Sequence, residues 1–373
     1  MKMVSYGSVF IISLIIWGCV KEFFPEVHQS PYRVVVNGLI TNQPEVYTIN
    51  LFWSDPIDEK VNMPLSGCDV TVHDDLGHTY VFNESATPGT YNSDITTFQG
   101  VAGRTYKLHI DTKNATPKHH SYESLPVEMN PVPPIDSLYY EKIVISEGPV
   151  EPEEGCNIYL NTYDPDGICR FFRWDYTETW QIEVMYGMDD SVRFCWVSNN
   201  SPNIDVKNTS GLSENHLVRY PIVYISNQTD RLSIRYSIIV NQYSISNNEF
   251  YFWDGVSKMT ENVGRLYDVI PTSISGNLIC IEDPDERVLG YFSVSAKTSK
   301  RIFVNEKFSG LENIYNPECF DVPVDEWISK VHTGQNEWWW ILSNEWVTLK
   351  KWCADCTARG TTTRPDFWED SDY

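Results

Sequence analysis

The chain has 373 residues, 42% of them apolar and 14% aromatic, enough to bury one large or two medium cores and unlike the composition of a disordered polypeptide. Its formal net charge of −23 repels phosphate backbones, which argues against nucleic acid as a partner.

The first twenty residues, MKMVSYGSVFIISLIIWGCV, combine one lysine, an uncharged run from Val9 to Trp17, and a closing Gly18-Cys19. This is the layout of a secretory signal, and the run is too short to span a bilayer, which takes about 20 apolar residues. The Gly-Cys ending resembles a bacterial lipobox, with Cys19 as the lipidated first residue of the mature chain, although Trp17 stands where that motif prefers a small side chain. Residues 1–18 therefore read as a lipoprotein signal and residues 19–29 as a tether. Acyl chains on Cys19 would hold the protein at a membrane surface, each buried CH₂ contributing about 0.8 kcal/mol. The Lys21-Glu22 pair weakly resembles a surface-export signal.

From residue 30 the grammar is that of short β-strands. YRVVVNGLITNQPEVYTINL places two β-branched runs around a Thr-Asn-Gln-Pro turn, and CDVTVHDDLGHTYVF alternates Val70 and Val72 before an Asp-Asp-Leu-Gly turn. With GTYNS and GRTYKLHI, residues 30–130 are expected to form an immunoglobulin- or fibronectin-like sandwich of about seven strands. NPVPPIDSLYY supplies a stiff joint. Residues 131–310 read as a second β-rich domain with one prominent helix. Ser246 and Glu249 form a capping box at its start, and Phe250, Trp253, Val256, Met259 and Val263 recur at helical spacing as a core face. Residues 311–373 form a Trp- and Cys-rich tail expected to pack on the body. The fold class is thus mainly β.

Apart from Cys19, eight cysteines remain, and an even number in an exported chain favours disulfides. Cys353-Ala-Asp-Cys356 has no histidine nearby to complete a zinc site and no strand-to-helix context for redox chemistry, so it reads as a disulfide anchor. Cys319 is its first candidate partner; a loop of about 35 residues would constrain the unfolded chain by about 3–4 kcal/mol.

Catalytic grammar is missing: the sequence contains no GxSxG, no HExxH and no phosphate-cradling glycine loop. His119-His120 reads as a solvated pair. Asp164-Pro-Asp-Gly and Asp283-Pro-Asp-Glu look like calcium-loop fragments but equally like tight turns. Trp338, Trp339 and Trp340 are candidates to stack on a ligand or a protein partner.

Several long strings, VVVNGLITNQPEVYTINL, GVAGRTYKLHI, PVPPIDSLYYE, YSIIVNQYSISNNEFYFWDGV, SGNLICIEDPDERVLGYFSVSAKTSKRIFV and CADCTARGTTTRPDFW, make the chain similar to a Bacteroidetes lipoprotein family catalogued as domain-of-unknown-function family 4249. The resemblance implies a surface or outer-membrane lipoprotein, of a kind often encoded beside TonB-dependent transporters. The expectation is a non-enzymatic outer-membrane lipoprotein facing the cell surface, without cofactor or metal, serving as ligand-binding partner of a TonB-dependent transporter. The alternatives are a surface adhesin or structural envelope protein, and a hydrolase whose site forms only in three dimensions.

Overall fold

The structure, a computed structural model, describes residues 32–54, 63–113, 119–145, 153–184, 190–262, 274–309, 337–342, 345–350 and 355–368. Residues 1–18, Cys19 and the tether lie outside them. Among the described residues, strands dominate, as the sequence predicts, and no helix is long and apolar enough to cross a membrane.

The alternation read from the sequence becomes two faces. In β1 (Val34–Ile40), Val34, Val36 and Ile40 point inward, and in β7 (Thr105–Asp111) Tyr106, Leu108 and Ile110 do so. A period of two puts these side chains on one face of each strand. They form one core with β2 (Thr48–Trp53), β4 (Asp69–Asp74), β5 (Thr79–Glu84), β6 (Thr90–Asn92) and β8 (Ser121–Ser124). The first half of β5 pairs with β4 and its end pairs with β6, so this strand links the two layers. The short β3 (Met63–Pro64) and β9 (Val127–Glu128) pair with β2 and β7. Among the described residues, 34–128 hold nine strands where about seven were expected.

Two further strands reach this sandwich from much later in the chain. β17 (Leu278–Cys280) pairs antiparallel with β8, and β18 (Leu289–Val294) pairs parallel with β1, Val36 opposite Gly290. Sequence reading places residues 278–294 with the second domain, yet Leu278, Cys280, Phe292 and Val294 lie in the core of the first. A parallel pair needs a crossover connection, and here everything between β1 and β18 is that crossover. Gly290 makes the approach possible: it has φ +84°, and a Cβ there would lie 2.0 Å from the Val36 carbonyl oxygen.

The second body packs β10 (Ile135–Ile145), β11 (Glu153–Tyr163) and β15 (His216–Ser226) against a sheet of β12 (Phe171–Glu183), β13 (Phe194–Asn200), β14 (Asp205–Asn208), β16 (Arg235–Ser244) and β19 (Lys297–Val304). Buried Trp174 donates to Gln242 (2.9 Å), whose amide donates to the Pro133 carbonyl (2.8 Å) and to Thr162 (3.0 Å), so the prolyl joint is fastened to this core. Asp164 accepts from the Cys169 backbone (2.8 Å) and from Asn215 (3.2 Å), so its side chain closes its own turn.

The helix α1 (Asn247–Asn262) begins where the sequence predicts, with Ser246 Oγ accepting from the Glu249 backbone at 3.1 Å. Glu249 does not complete the capping box through its side chain. It turns inward, fully buried, and accepts from Ser293 (2.7 Å) and Trp253 (3.1 Å). Its neighbour Phe252 packs on Tyr291, with ring centroids 4.9 Å apart, so α1 covers the outer face of β18. Of the predicted stripe, Phe250, Trp253 and Val256 are half-buried, Met259 is exposed and Val263 lies outside the described residues; among the described residues the buried positions of α1 are Glu249 and Phe252.

Cys356, predicted to be an anchor, bonds Cys195 on β13, 161 residues away, and not Cys319. The reason is strand pairing: Trp196 and Thr361 exchange two backbone hydrogen bonds (2.9 and 3.0 Å), which lays residues 355–368 along β13 beside Cys195. Cys319 and Cys353 lie outside the described residues. Cys68, Cys156, Cys169 and Cys280 are buried free thiols. Trp368 closes the clasp, buried against Trp196 and Phe303. Trp338, Trp339 and Trp340 sit in β20 (Glu337–Leu342), opposite Leu349, Thr348 and Val347 of β21 (Glu345–Lys350).

Candidate functional site at strand β17

The return of β17 to the sandwich builds a chemical feature at each of its ends. Before it, Asn277 braces the strand: its side chain exchanges hydrogen bonds with the Phe292 backbone (2.8 and 2.9 Å), and its carbonyl accepts from the Leu125 N–H (2.7 Å). Between the start of α1 and the link between β8 and β9 lie two adjoining clefts of about 290 and 210 Å³. Leu125, Asn248, Asn277 and Tyr291 border both, and Tyr251 and Phe252 close one side of the larger. Tyr251 is 60% exposed and Leu125 is exposed beside it. Burial pushes the Tyr291 phenol up to about 12.

At the far end of β17 the register sets Cys280 opposite Tyr122 of β8. His120, just ahead of β8, is held through its backbone by Thr112, whose hydroxyl accepts from the His120 N–H at 3.0 Å. The loop after β17 turns on Asp283, whose carbonyl accepts from the Glu286 N–H (2.9 Å) and whose side chain accepts from the Asp285 N–H (3.2 Å). The Asp-Pro-Asp-Glu string is therefore a tight turn, and its product is the placement of Glu286. One Glu286 oxygen meets His120 Nδ1 at 2.7 Å, and the other accepts from the Tyr122 hydroxyl at 2.7 Å. Cys280 Sγ lies 3.6 Å from the same His120 nitrogen and 3.8 Å from a Glu282 oxygen.

The electrostatics follow from burial and hydrogen bonds. Burial pushes the Cys280 thiol up. Burial, then the facing Glu286 carboxylate, pushes the Tyr122 phenol up, keeping it a donor. The Ser121 N–H, 2.7 Å from Glu282, holds that carboxyl down.

The expected solvated histidine pair is split by the structure. His119 is exposed and pairs with Asp111 (2.7 Å), whereas His120 turns inward with its side chain only 18% exposed. Neither His120 nor Cys280 was singled out by spacing, because 160 residues separate them; the same holds for Leu125 and Asn248 of the clefts. The described lining of the clefts contains none of the tryptophans proposed from sequence.

Residues 20–301 match the model of a family described as Domain of unknown function (DUF4249). That span includes both bodies' sheets nearly to the end of β19 together with every residue of the clefts and of the cluster around His120. None of the curated proteins matches the chain.

Proposed function

The chain belongs to the DUF4249 family, and we propose that it is a lipid-anchored, non-enzymatic protein of the outer membrane, facing the cell surface, that binds a ligand or partner on behalf of a TonB-dependent transporter. Anchoring rests on the residues Met1 to Cys19, and the transporter on the family resemblance. The observation that carries binding is the pair of clefts between α1 and the β8–β17 edge. They are concave, they join two packed bodies, and they set Leu125, Phe252 and the Tyr251 ring beside a few polar groups such as Asn248. Binding sites favour such junctions.

Each cleft is smaller than the roughly 300–1,000 Å³ of a site that swallows a whole small molecule. It suits one ring or one side chain of a larger ligand, with the exposed Tyr251 as the aromatic contact. Extraction of the lipidated protein from gently solubilised membranes should bring an outer-membrane barrel with it, identified by mass spectrometry. Tyr251→Ala combined with Asn248→Ala should reduce the amount of barrel recovered, and Cys19→Ser should move the protein out of the membrane fraction. A wild-type protein that emerges alone would overturn the reading.

A further inference from the structure

The second feature of β17 goes beyond ligand capture and stands independently of it. We propose that His120, Cys280 and Glu286 form a binding site for a zinc-type divalent transition-metal ion, and that the ion clamps the returning strand to the sandwich.

The argument begins with convergence. One nitrogen, one sulfur and one carboxylate oxygen lie within 4.8 Å of one another, and His120, Cys280 and Glu286 come from two segments separated by 160 residues. A thiol, an imidazole and a carboxylate also make a nucleophilic triad, but that relay uses opposite nitrogens of the imidazole ring, one for the thiol and one for the carboxylate. Here Cys280 Sγ and Glu286 Oε2 both face Nδ1, at 3.6 and 2.7 Å. No proton can be handed across the ring in that arrangement. Three donors gathered this closely suit a metal ion instead.

The spacing agrees with that chemistry. Tetrahedral bonds of about 2.0 Å to nitrogen and oxygen and 2.3 Å to sulfur place donor atoms about 3.3–3.6 Å apart. The S···N separation is already 3.6 Å. The N···O pair, at 2.7 Å, must open by about half an ångström, exchanging a hydrogen bond for two metal bonds. On binding, the Cys280 thiol gives its proton to solvent and coordinates as thiolate. A mixed sulfur, nitrogen and oxygen donor set suits zinc and cobalt(II) better than the all-oxygen preference of calcium or magnesium.

The surroundings also fit. A ligating carboxylate is normally fixed by an outer hydrogen bond, and the buried Tyr122 hydroxyl supplies one to the second oxygen of Glu286. Cys280 is 1% exposed, while the side chains of His120 and Glu286 keep 18% and 21%, so the sulfur lies deepest and solvent reaches the other two ligands.

The test uses the full lipidated chain in detergent, stripped with chelator and titrated with cobalt(II) alone, then displaced with zinc(II). Wild type should take up one equivalent, show the thiolate-to-cobalt charge-transfer band, and melt at a higher temperature with zinc. Cys280→Ser should abolish the band, and Glu286→Gln and His120→Ala should each weaken binding tenfold or more. Should Cys280→Ser fail to fold, His120 and Glu286 decide the matter, because neither belongs to the apolar core. A chain without the band, a band that survives in Cys280→Ser, or affinity and melting shift unchanged in both His120→Ala and Glu286→Gln would overturn the proposal. These outcomes are separate from barrel recovery, which reads the clefts.

Discussion

Removing the Cys195–Cys356 bond is the sharpest test of how the tail is held. The bond closes a loop of 161 residues. In the chain-entropy treatment such a loop constrains the unfolded state by about 5 kcal/mol, against about 3–4 kcal/mol for the shorter loop to Cys319 that the sequence suggests. Measured contributions usually fall below that ceiling, so Cys195→Ser/Cys356→Ser should destabilise the second body by about 2–5 kcal/mol. The tail keeps other contacts: the two backbone bonds between Trp196 and Thr361, the Arg359–Asp230 ion pair at 2.5 Å, and buried Trp368. The exposed ion pair adds at most about 1 kcal/mol. Without the covalent link, these contacts should let go before the rest of the body unfolds. Guanidinium unfolding followed by tryptophan fluorescence should show an earlier transition in the variant, and limited proteolysis should remove residues beyond about 350 while the sheets persist. Reduced wild type should behave like the variant. Identical midpoints and identical cleavage patterns in oxidised wild type and the double variant would refute the clasp.

Gly290→Ala should be among the most damaging single changes. It places a β-carbon 2.0 Å from the Val36 carbonyl oxygen and forces a positive φ on a residue with a side chain. A loss of at least about 3 kcal/mol, or an insoluble product, is expected, and a melting temperature within error of wild type would contradict the tight β1–β18 approach. Asp205 offers a pH test. Burial raises its carboxyl to about 6, against an ordinary 3.8, while the Tyr220 hydroxyl, 2.6 Å away, opposes the rise. The folded state therefore prefers the protonated acid: the contribution is complete below about pH 4 and is lost as pH rises through 6. Asp205→Asn keeps the oxygen that Tyr220 bonds and should stabilise the protein by about 1–3 kcal/mol at pH 7.5 but hardly at pH 4. A difference independent of pH would show that burial is not the cause.

What local patterning dictates was readable: the strands of the sandwich, the prolyl joint and the start of α1 all follow from alternation, turn residues and a serine cap. What depends on distant pairing was not. The run LGYFSV of β18 carries the hint, because Tyr291, Phe292, Ser293 and Val294 are all buried. A strand covered on both faces lacks the alternation of its neighbours, but nothing local says which sheet covers it. Cys319 was favoured for Cys356 because it is near in sequence, whereas β-pairing of Trp196 with Thr361 brings Cys195 near in space. His120 looked like one of two solvated histidines because its partners, Cys280 and Glu286, belong to a segment whose address is tertiary.

That returning segment makes a strong statement about the first body: residues 20–134 should not fold alone. Without the segment that runs from β17 to β18 the sandwich loses Leu278, Val288, Phe292 and Val294 from its core, and β1 becomes an open edge. Each such side chain contributes about 1.5–3 kcal/mol on burial, so the four together amount to about 6–12 kcal/mol, comparable to the whole stability of a domain. Val34, Val36 and Ile40, fully buried in the intact chain, would lose Phe292 and Val294 from the core they share. The fragment is expected to show no cooperative thermal transition by circular dichroism, and addition of a peptide covering residues 274–304 should restore β-structure only in part, since α1 also covers β18 through Phe252 and Glu249. A fragment of residues 20–134 that melts cooperatively would mean that the sandwich is closed before the chain returns, and that β17 and β18 dock on a finished body instead of completing it.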